Sequence, residues 1–584
     1  MNQGKAVLLN NPYGQVAYEK FHDSGLAFAD KSAIIQELDK NSMTPYPVLL
    51  RPRRFGKSTF VQMLKCFYDI SYKERYDDIF SGKAVYDADL PSHNTYHVID
   101  FDFSGVSGQD KETLTAGFIT ALDLGLADFC QRYPDFIFSP AEAERKTPSS
   151  FIRSFFKAYK LYPSRRAVYL MVDEYDNFAN SVLSQDLELF QAITGTGGFL
   201  KDFYAAVKEG AKTCVAKTFI TGVSSVSLDS LTSGFNISLN VTADKCLNEY
   251  AGFTESELAV LIPQLVDLEQ LGISVDEVIS RMKPVFDGYR FSRLADNTLY
   301  NSSMCLFYLR KLQNEHEFLA PEDCMDPASD HDGSKLQQLF AIAADGVADE
   351  IVENYLDNEL FFVDQLAENI NLNKTANYSR EQLLSMLYYL GYLTIDREAS
   401  DGSSLALKIP NLFMSKLFAQ CIADMRLRTS QVFADAPLDI SSLREASDDI
   451  SSFAASCTEF LSSIFTCQVL SHMSEMALNL TLYTKLKSLR GIFVEMQKSL
   501  RTVGQGEKFA DLVITVNKGK SSECVYLFEL KYSSKAEATE ARIQKLIRTA
   551  VKQVGNYKSA LEFRNRQIRA YAMIFAGSDC VYCG

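Results

Sequence analysis

The residues able to do chemistry fall into two groups, far apart in the chain. The first is Arg51-Pro-Arg-Arg-Phe-Gly-Lys-Ser-Thr59, placed between the apolar run Val48–Leu50 and the helically spaced Phe60, Val61, Met63, Leu64 and Phe67. A strand, a tight turn and a helix opening with Gly56-Lys57-Ser58 can present free N–H groups and a partial positive charge to a phosphate. On that reading Arg54, Phe55, Gly56, Lys57, Ser58 and Thr59 surround a nucleotide's phosphates. Lys57 would neutralise the β- and γ-phosphates and the Ser58 hydroxyl would hold Mg²⁺. The full pattern asks for a glycine where this chain has Arg51. On this stretch alone, Lys57 as a surface lysine near a helix start stays open.

A carboxylate pair follows about 115 residues later. Val168–Val172 has the composition of a strand buried on both faces, and it delivers Asp173 and Glu174 at its C-terminal end, where α/β sheets bind ligands. Asp173 would hold the Mg²⁺ through Ser58 or water, and Glu174 would polarise the attacking water. Both acids could instead cap the next helix. A third apolar run, Lys217–Ser224, contains Thr221-Gly222, where Thr221 either senses the terminal phosphate or turns the chain. Ser233–Asn236 could shape the same pocket. Arg290 could reach a nucleotide from a lid, or simply pack.

The second group lies near the C-terminus. Cys524–Lys531 reads as a strand, so Glu529 and Lys531 share one face with the apolar Val525 and Leu527. Such a pair costs energy unless the two groups pair or serve a site. Phe509–Thr515 reads as a further strand and supplies Asp511. Asp511 and Glu529 offer the hard oxygens that Mg²⁺ takes, with Lys531 orienting water or offsetting developing charge. Mg²⁺-dependent phosphodiester hydrolysis is one reading; a structural Glu529–Lys531 salt bridge is the other. A helix over about 536–561 carries Gln553 and the basic Lys545, Arg548, Lys552 and Lys558, which could track a phosphate backbone. Glu475 sits on a helical stretch expected over 460–486.

The surrounding chain must position these groups. Its 584 residues suit two to four domains, and 47% hydrophobic content reads as globular. A net charge of −15 argues against a protein that coats nucleic acid throughout. Yet residues 483–570 hold 18 Lys and Arg against 8 Asp and Glu, as a local nucleic-acid site or a solvated face would. No signal peptide and no membrane span are expected. Twelve scattered cysteines suit a reducing cytosol, and Cys580 and Cys583 lack the second pair that a zinc site needs. From Thr254 to about Ala423 the pattern is mainly helical, with one helix over Leu258–Leu268 and a break at Lys283-Pro284. A helix over 381–392 and a hairpin of 393–395 with 405–409 suggest a winged-helix-like unit. Ala434–Ser456, rich in Asp, Ser and Ala, reads as a connection.

Residues 20–310 resemble the AAA-ATPase-like family of bacterial proteins. The matching pieces are Asp30-Lys-Ser32, Arg51-Pro-Arg-Arg-Phe-Gly-Lys-Ser58, Val172-Asp-Glu-Tyr-Asp176, Ile220-Thr-Gly-Val223, Gly252-Phe-Thr-Glu255 and Phe286-Asp-Gly-Tyr-Arg-Phe291. That resemblance implies a P-loop NTPase core of the additional-strand class, in which the first loop glycine is commonly missing. Residues 455–580 resemble the PD-(D/E)XK nuclease superfamily. Asp511 matches the first acid, Glu529-Leu-Lys531 the E-x-K, Gln553 the glutamine of the following helix and Glu475 the acid of the first helix. The expected protein is α/β throughout: an AAA-like parallel sheet over 1–253, a helical and winged-helix-like middle over 254–433, a linker over 434–456 and a nuclease-like domain over 457–584. ATP and Mg²⁺ are the implied cofactors, and nucleic acid, DNA before RNA, is the implied partner. A ring is open by analogy, but no arginine finger is evident, so a monomer or dimer fits equally. The alternative is a nucleotide-regulated binding or signalling ATPase whose nuclease-like domain only holds a partner.

Overall fold

The computed structural model describes residues 8–584 except 41–42, 89, 184–185, 196, 226–230, 232, 316–318, 320, 322–323, 325–329, 359, 368–376, 402, 430–432, 434, 466–469, 471–472, 474, 503–505, 521, 558–562 and 564–565. Apolar runs too continuous for a one-sided sheet, such as Val168–Val172, form the centre of a parallel sheet. Its strands are β1 (Pro47–Leu50), β2 (His97–Asp102), β3 (Val168–Asp173), β4 (Val215–Gly222) and β5 (Leu239–Asn240), in the order β2-β3-β4-β1-β5. Every pairing is parallel. β4 lies between β1 and β3, as the additional-strand class requires. The C-terminal ends of β1 and β3 therefore open on one edge of the sheet, which is where a ligand crevice forms.

Helices α1 (Lys57–Tyr68), α2 (Lys111–Arg132), α3 (Pro148–Lys160), α4 (Asn177–Leu183) and α5 (Phe199–Ala211) belong to this part of the chain. By length and composition α2 could cross a membrane, which the sequence reading did not anticipate. It buries the stripe Leu114, Phe118, Leu122, Leu126 and Phe129 and packs on β2, the pattern of an amphipathic helix on a core.

The middle region holds α6 (Glu255–Leu265), α7 (Val275–Phe286), α8 (Ser302–Glu315), α9 (Asp330–Ala341), α10 (Val347–Asn358), α11 (Arg380–Tyr389) and α12 (Leu412–Thr429). A small antiparallel sheet of β6 (Leu360–Val363), β7 (Thr394–Asp396) and β8 (Leu405–Lys408) sits among them, so the expected hairpin gains a third strand. Two boundaries differ from expectation. Val266 is extended and ends α6 before Leu268. Pro284 does not break α7 but lies in its last turns, and the chain turns at Gly288.

The expected helix over 460–486 is two helices, α13 (Ser451–Ile464) and α14 (Glu475–Ser488). The expected connection over 434–456 is substantially structured: Leu438, Ile440, Leu443, Ile450 and Phe453 are buried, and Tyr526 and Tyr571 donate to the carbonyls of Ser447 and Asp448. Its short polar residues belong to turns over an apolar underside.

The C-terminal sheet has the order β13-β12-β11-β10-β9, from β9 (Ile492–Thr502), β10 (Gly506–Val516), β11 (Cys524–Ser533), β12 (Gln567–Ala576) and β13 (Asp579–Cys583). Only β11 and β12 pair in parallel, and α15 (Glu540–Tyr557) makes the crossover between them. A second small core, with Val513, Val525, Leu527, Ala550 and Val554, fills the space under α15. Val525 and Leu527 in that core set the β11 face that carries Glu529 towards α15.

Candidate functional site

The first site forms where β1 and β3 end. Gly56 caps α1 at φ +92, a backbone state that glycine adopts freely, and this lets the turn close into the helix. Arg54 at φ 69 and Glu174 at φ 53 are left-handed without being glycine. Lys57 is buried, with Nζ 3.2 Å from the Pro52 carbonyl and 3.3 Å from Glu174 Oε1. The ammonium thus folds back on its own loop and on the β3 acid. Asp173 is pushed up to about 7 by burial and by the neighbouring Glu174, against the pull of the Ser58 hydroxyl bond and Lys57. Burial also pushes Glu174 up, but Lys57, Arg53 and Lys335 outweigh it and hold that carboxyl below its ordinary value. Ser58, Asp173 and Glu174 line one cleft with Asp100, Asp102 and Arg53. That oxygen-rich set fits a hard divalent cation.

Beside Gly56 and Thr59 lies an apolar cavity walled by Phe28, Phe55, Phe60, Tyr250 and Phe253. Lys31, paired with Glu257 at 2.6 Å, lines it too. A flat apolar ring with a few polar edge atoms suits such a cavity.

Arg51 explains how the loop closes without its first glycine. Its guanidinium is fully buried and donates to the carbonyls of Leu50, Thr242, Leu247 and Asn248 at 2.7–3.3 Å. It also lies 4.9 Å from the Tyr250 ring centre and 4.3 Å from that of Phe291. It points away from a phosphate cradle and ties the loop to chain about 190 to 240 residues further on.

Three further candidate positions line none of the cavities at the loop. Thr221 is buried between strands, with its hydroxyl donating to Leu49 O at 2.7 Å, so in this structure that hydroxyl serves the sheet. Arg290 reaches Asp296 O at 3.4 Å and its backbone N–H bonds Thr394 Oγ1, which places it against β7 and outside the cavities at the loop. Ser233 and Asn236 are exposed and line none of those cavities either.

The second site is built on strands. Leu512 pairs with Phe528, so Asp511 on β10 and Glu529 on β11 are the next opposed residues. Asp511 accepts from Leu530 N at 2.7 Å and from Gln497 Nε2 at 3.0 Å. Burial, then the adjacent Glu529, pushes its carboxyl up to about 7. Lys531 Nζ lies 2.7 Å from Glu529 Oε1 and 2.8 Å from Glu475 Oε1. Burial opposes its charge, yet these two carboxylates outweigh that and raise its pKa. Tyr557 OH contacts Glu529 Oε2 and Phe509 O. Gln553, one turn before Tyr557 on α15, has a buried Oε1 with no partner among the described residues. Two carboxylates, crowded enough to shift one of them, and an orphaned amide oxygen fit a divalent cation.

The structure thus brings Asp511, Glu529, Lys531 and Glu475 together. Sequence reasoning missed Gln497 and Tyr557. Tyr557 had a faint signal, lying four residues after Gln553 on one helix face; Gln497 at φ 51 had none. Lys545, Arg548 and Lys552 are exposed along α15 and none pairs with a carboxylate among the described residues, whereas Lys558 lies outside the described residues.

Comparison with known proteins gives two family matches. Residues 12–232 match a family described as predicted AAA-ATPase, and residues 481–584 match the PD-(D/E)XK nuclease superfamily. The chain is also 26% identical over 288 residues to an uncharacterized protein in the vnfD 5'region of Azotobacter chroococcum mcd 1. That match covers 49% of this chain and 48% of the relative, so the chain spans about half the length of the protein it matches.

Proposed function

Since the chain joins a predicted AAA-ATPase domain to a PD-(D/E)XK nuclease superfamily domain, we propose that it is a cytoplasmic, ATP-binding and ATP-hydrolysing protein whose nucleotide state governs Mg²⁺-dependent cleavage of nucleic acid, with DNA the preferred substrate. The observation that carries this reading is the convergence of Asp511, Glu529 and Lys531, on two paired strands, with Glu475 at the start of α14, within salt-bridge and hydrogen-bond reach.

Asp511 and Glu529 would hold the cation at the C-terminal site. Magnesium, when bound, supplies stabilisation of charge on the scissile phosphate and makes water a better nucleophile. Glu529 and Glu475 keep Lys531 charged and fix its position, so that it can donate to the water or to a phosphate oxygen. The exposed cations of α15 hold the polynucleotide backbone. At the other site the adenine ring enters the aromatic cavity beside Thr59. Lys57 leaves Pro52 O and Glu174 for the β- and γ-phosphates. Ser58 and Asp173 would hold a second Mg²⁺, and Glu174, released, orients the attacking water.

The test is cleavage of plasmid and single-stranded DNA with Mg²⁺, with and without ATP, beside Lys531→Ala. Cutting that vanishes in the variant and changes with ATP is the expected result. A folded protein that binds ATP but never cuts DNA or RNA would make the C-terminal domain a binding module.

A further inference from the structure

A second cavity opens on the other side of the phosphate loop, between it, α4, α9 and α11. Arg53 and Arg54 enter from the loop and Lys335 from α9, alongside the amides of Asn180 and Gln338. No acidic residue is among its described lining residues. Three cations lining one space form an anion receptor, whereas the Asn180 amide is held by Asp176 and Ser224. Arg53 also lines the cleft that holds Ser58, Asp173 and Glu174, so the two spaces adjoin. Lys335 is near enough to Glu174 to help lower that carboxyl's pKa. Lys335 also lines a small space with Pro52, Arg53, Arg54 and Phe55, so the middle region brings a cation to the phosphate loop itself.

The helix that carries Lys335 is not isolated. α9 packs on α12, with Phe340 and Phe418 edge to face at 6.2 Å and Leu417 beside Gly333. α12 packs in turn on α14 and on β9. Glu475, which holds Lys531, is the first residue of α14, and Gln497, which holds Asp511, is on β9. A continuous packed path therefore runs from the nucleotide loop to two residues that position the C-terminal site.

We propose that Arg53, Arg54 and Lys335 receive the terminal phosphate of a nucleoside triphosphate, and that Lys335, by moving α9 with it, passes the nucleotide's state through α12 to α14. The inference rests on the nucleotide-binding reading above and adds to it the residue that tells a triphosphate from a diphosphate. It also makes the middle region the coupling element. ADP would leave Lys335 without its ligand, so α9 would differ between the two states.

The experiment is calorimetric titration of the full chain with ADP and with the imido analogue of ATP, which is not hydrolysed. Hydrogen exchange over residues 475–488 is then measured with each nucleotide. Wild type should prefer the triphosphate about tenfold, and exchange in α14 should differ between the two complexes. Lys335→Ala should lose the preference through weaker triphosphate binding alone, keep its ADP affinity and abolish the exchange difference; Lys335→Arg should retain both. An equal loss of both ligands in Lys335→Ala would make the lysine a support for the loop and overturn the inference, as would unchanged discrimination. Exchange in α14 that ignores the nucleotide overturns the coupling. Binding of neither nucleotide by wild type defeats the nucleotide-binding reading and this inference with it. Loss of both in Lys57→Ala upholds that reading whatever Lys335 does.

Discussion

The two candidate sites use the same parts and differ in what holds them. Each has a lysine paired with a glutamate, Lys57 with Glu174 and Lys531 with Glu529, and an aspartate that burial and a neighbouring glutamate push up to about 7. At the C-terminal site three charged groups each have a second partner on a regular element: Asp511 the Leu530 amide, Glu529 the Tyr557 hydroxyl, Lys531 Glu475. At the N-terminal site the lysine's second partner is its own loop carbonyl, Pro52 O. Contacts shared among separate elements over-determine a position, whereas a loop that satisfies itself can let go when a better anion arrives. On the proposed reading the C-terminal site is preset for its ligand and the N-terminal one must rearrange to take one. Both store strain: of the six non-glycine residues with positive φ among those described, Arg54, Glu174 and Gln497 stand at these sites.

The sharpest way to break this comparison is to remove each lysine. Lys531→Ala should lower cleavage by about 10³-fold, the scale of losing a preorganised charge at the reacting phosphate. Glu475 and Glu529 are then left facing one another without their cation. Mg²⁺ should therefore raise the melting temperature of this variant more than that of wild type, which scanning calorimetry reads without any turnover. Equal shifts would mean that the carboxylates do not share a cation site. Lys57→Ala should weaken ATP binding by about 100-fold, the cost of one buried charge contact. ATP titration checks it, and an unchanged affinity removes the loop assignment.

The same contrast explains what could be read from the sequence. Gly56-Lys57-Ser58, Asp173-Glu174 and Glu529-Leu-Lys531 declare themselves because their chemistry lies within a few consecutive residues, and the parallel sheet follows from its continuous apolar runs. Arg51 was opaque, since its partners lie at Thr242, Leu247, Asn248, Tyr250 and Phe291 and no local pattern shows that a loop arginine will be buried. The contact of Thr221 was hidden for a related reason. The residue does stand near a strand end, but its register opposite Leu49 sends the hydroxyl into the sheet. Gln497 and Tyr557 become visible only after strands pair and α15 folds across them.

Those last two residues give a smaller, finer test. Tyr557→Phe keeps the ring in its core and deletes only the hydroxyl on Glu529 and Phe509 O. Mg²⁺ affinity, followed by calorimetry, should fall about tenfold, the usual effect of losing a group that orients a metal-binding carboxylate. Cleavage at saturating Mg²⁺ should recover most of its wild-type rate. A rate loss that excess metal does not restore would place Tyr557 in contact with the substrate, and no change in affinity would mean that the strands alone fix Glu529.

The smallest expected effect separates a residue that shares a strand with a site from one that works in it. Thr221→Val keeps the β-branched shape that β4 prefers and removes one buried hydroxyl, leaving Leu49 O with the longer 3.3 Å contact from Tyr250 OH. The protein should lose about 1–2 kcal/mol of stability, as one buried hydrogen bond is worth. ATP affinity should stay within about twofold, because Lys57, Ser58 and Glu174 make their contacts without that hydroxyl. Denaturant melts and ATP titration on one preparation decide it. A large loss of ATP binding with stability intact would return Thr221 to the phosphate and show that β4 shifts its register when nucleotide binds, making the first site still less preset than the second.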